Sequence, residues 1–100
     1  MIQSRSADTS SPLAAFPGAD LVEAGLEDLS KGRESLAALL VSIGAPRLRR
    51  AGLSVPTTLD HPERRLYQQL HAANPDAAHS RYNALLRRLV SFERAVECAS

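Results

Sequence analysis

The groups in this 100-residue chain whose chemistry could reach beyond folding are three histidines, one cysteine and eleven acidic side chains. The histidines are His61, His71 and His79. A zinc site draws on paired cysteines or on histidines one helical turn apart. No HExxH, HxxxH or CxxC pattern occurs. His71 and His79 flank the Asn74-Pro75 joint and, with Asp76, could imitate a metal set. Surface histidines beside a helix joint are the simpler reading. Cys98 has no histidine at a fixed spacing and stands near a helix end that frays, so it is no activated nucleophile. No Ser-His-Asp arrangement can be argued either.

The carboxylates fall as Glu27-Asp28, Glu23/Glu27 and Glu93/Glu97. The last two are like-charge pairs four residues apart, which slightly disfavour an isolated helix. They point to basic partners across a helix interface, with Arg87, Arg88 and Arg94 as candidates. Gly44-Ala45-Pro46-Arg47 is too short for a phosphate loop, and Pro46 removes a backbone donor. The expectation is no enzyme, no cofactor and no metal.

Two basic groups remain. Arg47, Arg49 and Arg50 form the densest cluster. Arg81, Arg87, Arg88 and Arg94 straddle the polar back of the last helix rather than forming one stripe. A DNA-reading helix sets Asn, Gln or Ser beside its arginines to meet base edges. Asn83 and Ser91 supply little of that. Arg47, Arg49, Arg50, Arg87 and Arg94 are the candidate anion-binding residues, through phosphate contact without sequence readout.

The element that must position most of these groups is the stretch from Asn74 to Ser100. Tyr82, Leu85, Leu89, Phe92 and Val96 follow helical spacings of three and four, with Ala78 one turn earlier. Leu86 and Val90 widen the stripe to one side. Asn74 can cap the start, and Pro75 suits the first turn. The first helix begins at Asp20, whose spacing to Glu23 resembles a capping box. From Val22 the apolar positions 26, 29, 36, 40 and 43 keep one register, with Gly25 and Gly32 inside it. One long helix over 20–43 is favoured; two helices meeting at Gly32 are the alternative. Gly44-Ala45-Pro46 marks a break, followed by a short helix over 46–51 that Gly52 stops. Ser54 to Thr58 is a loop. Asp60 caps a further helix over 60–74, with Pro62 in its first turn.

Together these predict an all-α antiparallel bundle of three long helices and one short one. Residues 1–18 read as a flexible tail, disordered to about residue 12, with Leu13 to Phe16 able to dock. Residues 19–100 read as a single helical domain. The helix over 60–74 is too short to cover the whole stripe of the last helix. Leu89, Phe92 and Val96 are therefore expected to stand uncovered as an interface.

Composition sets the outer bounds. Apolar residues are 44% and aromatics 4%, without Trp, so aliphatic side chains must fill one modest core. Stacking platforms of the single-stranded nucleic acid type are lacking. The net charge is +1, yet residues 1–46 carry three basic against six acidic groups, and residues 47–100 nine against five. Eleven of the twelve Lys and Arg are Arg, which with abundant Ala reads as a GC-rich, bacterial coding bias. One cysteine, no transmembrane stretch and no signal-peptide core predict a cytoplasmic protein with no membrane partner. The functional expectation is a small protein-interaction or structural module, self-associating as a homodimer through Leu85, Arg88, Leu89, Phe92, Glu93 and Val96. The alternative is a nucleic-acid-associated accessory protein using the Arg clusters.

Overall fold

A computed structural model describes residues 15–99. The expected disorder to about residue 12 and the docking of Leu13 and Ala14 lie outside the described residues. Four helices follow in order: α1 (Ala19–Ser30), α2 (Leu36–Arg50), α3 (Pro62–Ala73) and α4 (Ala78–Ala99). No strand occurs among the described residues, so the all-α bundle stands. No helix among them is long and apolar enough to cross a membrane.

The single long helix over 20–43 is replaced by two, and the reason is local. Gly32 adopts φ 71°, the left-handed region that an L side chain enters only with strain. The Arg33 amide then bonds the Asp28 carbonyl at 2.8 Å, and the Gly32 amide bonds that of Leu29 at 3.1 Å. That pair of bonds is a Schellman ending, which satisfies the last carbonyls of α1. Ser35 starts α2 by accepting from the Ala38 amide at 3.0 Å. Asp28 ties both events together. Its Oδ2 accepts from the Ser35 hydroxyl at 2.7 Å and its Oδ1 from Arg33 at 2.9 Å. The chain reverses over five residues, and the shared apolar register on either side is coincidence.

Where α1 crosses α2, Gly25 is buried. A methyl group there would press on the Ala37 carbonyl and come within 2.5 Å of Val41 Cγ2. The glycine lost to helix propensity is thus what lets two backbones meet.

The expected break at Gly44-Ala45-Pro46 does not form. Pro46 lies inside α2, which runs on to Arg50. A proline inside a helix costs about 3 kcal/mol. Leu39, Leu40 and Val41 before it and Leu48 after it are fully buried. Each contributes roughly 1.5–3 kcal/mol when withdrawn from water, so packing on both sides outweighs the proline. The stop comes at Gly52, as expected, through a second Schellman pair: Gly52 to Arg49 and Leu53 to Leu48, each 3.0 Å.

The capping expectations are also revised. Asp20 does not cap α1; Gly18 occupies that position, and the Asp20 carboxylate meets Arg88 instead. Asp60 does not cap α3; His61, at φ 49°, precedes it. Asn74 accepts from the amides of Asp76 and Ala77 at 3.2 and 3.3 Å, but it closes α3 and the turn after it rather than capping α4, which begins only at Ala78 and leaves Pro75 outside its first turn. The loop between α2 and α3 is tied down from α2. The Ser42 hydroxyl accepts from the Leu59 amide, and Arg49 donates twice to the Val55 carbonyl.

Candidate interaction surface between helices α2 and α4

The extension of α2 past Pro46 decides what α4 can offer. Gly44 faces Leu89 and Glu93 so closely that a methyl group there would sit 2.7 Å from Glu93 Oε2 and about 3 Å from both Leu89 methyls. Leu89, Phe92 and Val96 consequently lie in the chain's own core, with Phe92 wholly enclosed. Phe92 also receives Phe16 edge-on, with ring centroids 6.2 Å apart. The expectation that this stripe stands uncovered is thereby corrected, because the covering helix is 15 residues long and not a short one over 46–51. Leu85 is half-buried against the same core. Arg88 is exposed and bonds Asp20 at 2.8 Å.

Glu93 is 4% exposed. Arg47 reaches it through Nη1 at 3.2 Å and grips Glu97 through Nε and Nη2 at 2.6 and 2.8 Å. Burial pushes the Glu93 carboxyl above the usual carboxylate range, against the pull of Arg47. The hydrogen bonds from Arg47 hold Glu97 below that range. The same bonds to Glu97 raise Arg47. The like-charge pair Glu93/Glu97 therefore has its basic partner, but on α2 and not among Arg87, Arg88 or Arg94.

The Arg cluster at 47–50 is dispersed by these contacts. Arg47 serves the two glutamates and Arg49 the Val55 carbonyl. Arg50, Arg87 and Arg94 are exposed and make no ion pair within 4 Å among the described residues. His71 and His79 do not assemble with Asp76: no three of His, Cys, Asp and Glu gather as a metal ion would require among the described residues. His71 stacks near Tyr67, which in turn meets Tyr82 edge-on at 5.7 Å.

What remains open is the other edge of α4. Leu86 and Val90, one turn apart, are only half-buried. On the side toward α2 they border a shallow, open depression of about 320 Å³ whose other residues include Ile43, Pro46, Arg47, Arg50 and Glu93. On the far side α4 presents an open face of Asn83, Arg87, Ser91 and Arg94. An apolar strip results, flanked by exposed arginines that make no ion pair within 4 Å among the described residues. Leu89 and Phe92, the expected interface, are buried and lie off this edge. Its signal lay in the widening of the α4 stripe by Leu86 and Val90, which four helices of this size leave without a cover. No protein-family model, no curated protein and no solved structure matches the chain.

Proposed function

We propose that the protein is a small helical protein-interaction module and that its partner seats on the strip formed by Ile43, Pro46, Leu86 and Val90. The observation that carries this reading is the pairing of an apolar edge, half-buried at Leu86 and Val90, with three exposed arginines that make no ion pair within 4 Å among the described residues. A side chain with no structural task is free for a partner, and a rim of polar charge around an apolar centre is the usual anatomy of a protein interface. Nucleic-acid association is the weaker alternative. Two of the five arginines assigned to it, Arg47 and Arg49, are engaged within the fold.

Site-specific photo-crosslinking tests the proposal. Val90 is replaced by p-benzoylphenylalanine in cells of the source organism, with exposed Gln68 on α3 as the control position. The expected result is a discrete protein adduct from position 90 that is absent from position 68. Equal labelling at both positions, or an adduct that nuclease removes, overturns it.

A further inference from the structure

Resting on that reading, we infer that the occupant of the α2–α4 surface is an acidic amphipathic helix of another protein. The dimensions come first. Leu86 to Glu93, the stretch of α4 that lines the depression toward α2, spans about 10 Å at 1.5 Å per residue, so the strip accommodates about two turns of a docked helix. Ile43 and Pro46 line one side and Leu86 and Val90 the other, an apolar floor of the kind that takes side chains at i, i+3, i+4 and i+7 of an amphipathic helix.

Charge then selects the partner. Arg50 lies at the α2 side, and Arg87 and Arg94 at the far side of the strip. The two carboxylates near this surface, Glu93 and Glu97, are bonded by Arg47, with Arg50 near both and Arg94 near Glu97 at longer range. An isologous pair of this chain would bring the same patch of each copy together, arginines against arginines. The described helices thus make a poor mate for themselves. Residues 1–14 carry one Arg and one Asp and offer no acidic complement either. A nucleic acid would find phosphate partners but an aliphatic floor: neither side is lined by an aromatic side chain on which a base could stack. Glutamates flanking a leucine stripe satisfy both halves of the surface.

The test uses two fluorescein-labelled peptides of about 14 residues, some four helical turns. Both carry Leu at i, i+3, i+4 and i+7 on an Ala background; one has Glu at the flanking positions and the other Lys. By fluorescence anisotropy with the full chain, the Glu peptide is expected to bind about tenfold or more tightly than the Lys peptide, with a preference that shrinks as salt is added. The double variant Arg87→Glu, Arg94→Glu is expected to reverse the preference. Both arginines are exposed, so the fold survives the change, and circular dichroism checks it. Leu86→Glu is expected to abolish binding of both peptides. Equal binding of the two peptides, or a preference that the charge reversal leaves unmoved, overturns the inference. A Val90 adduct to another protein without any Glu preference removes the acidic helix and keeps the interface. A dimer mass by light scattering that Leu86→Glu breaks makes a second copy the occupant and also overturns the inference. Neither adduct nor peptide binding removes both.

Discussion

The guanidinium of Arg47 is forked over Glu97, with nitrogen–oxygen distances of 2.6 and 2.8 Å, and its third nitrogen reaches the buried Glu93 one turn earlier. This single side chain fastens the C-terminal half of α2 to α4. It also supplies the only countercharge within 4 Å of Glu93 among the described residues. Removing one member of such a pair hurts more than the pair's net worth, because the other charge stays buried and alone.

Arg47→Met is therefore expected to lower the thermal midpoint well beyond the effect of Arg88→Ala. Arg88 and Asp20 are paired in open solvent, where an ion pair contributes little. Thermal melts of the two variants at neutral pH decide the point, and equal losses would contradict it.

Glu93 gives the opposite sign with pH. Its folded pKa is raised by burial, so the native state holds the proton more tightly than the unfolded chain does. Its contribution is present below the ordinary glutamate value and is lost as pH rises through the raised one. Glu93→Gln keeps the shape and removes the titration. The difference in midpoint between Glu93→Gln and the parent is expected to move in favour of the variant between about pH 4 and pH 7. A constant difference across that range would count against the burial argument.

Asp28 titrates the other way. The Ser35 hydroxyl, ahead of Arg33, holds its carboxyl below the usual range. Its stabilisation is present at neutral pH and lost as pH falls through the lowered value. Ser35→Ala removes both this bond and the cap of α2. The expected loss is about 1 kcal/mol at neutral pH by urea unfolding, which is the worth of a typical N-cap. It should shrink in acid as Asp28 becomes protonated.

Gly25→Ala separates packing from propensity. Helix propensity alone favours the alanine by about 1 kcal/mol. The methyl would meet the Ala37 backbone, which has no free end to swing aside. Overpacking of that kind costs roughly 1–3 kcal/mol or more. Net destabilisation in denaturant unfolding is expected, and a gain would show that α1 and α2 separate easily.

How far the sequence carried the fold depends on how local each signal was. The α4 stripe and the Gly52 stop rest on residues within a turn or two of one another, and each appears where the spacing placed it. The helix over 20–43 failed because a continuous register says nothing about a reversal of the chain. The decisive residues were Gly32 and Ser35, a stop followed by a cap. Pro46 failed the other way: a strong local breaker was overruled by burial at Leu39, Leu40, Val41 and Leu48. The candidate site turned on which helix covers α4. The shortness of the helix over 60–74 made Leu89, Phe92 and Val96 look bare; α2, running on to Arg50, covers Leu89 at Gly44, so these residues are core and Leu86 and Val90 are what is left. Arg47 and Arg49 look like free cations in the sequence because their partners stand fifty residues away in one case and in a loop carbonyl in the other.

The contacts of greatest chain separation share a destination. Phe16 meets Phe92, Asp20 meets Arg88, and Arg47 meets Glu93 and Glu97. All end on α4. Closing loops of that length carries the largest entropic penalty in the molecule, whereas the α1–α2 reversal closes within five residues. The α3–α4 turn closes just as locally, over residues 74–77, so the long-range contacts are the ones that join α4 to α1 and α2. Without them the face of α2 at Gly44, which Leu89 and Glu93 cover, would stand in water.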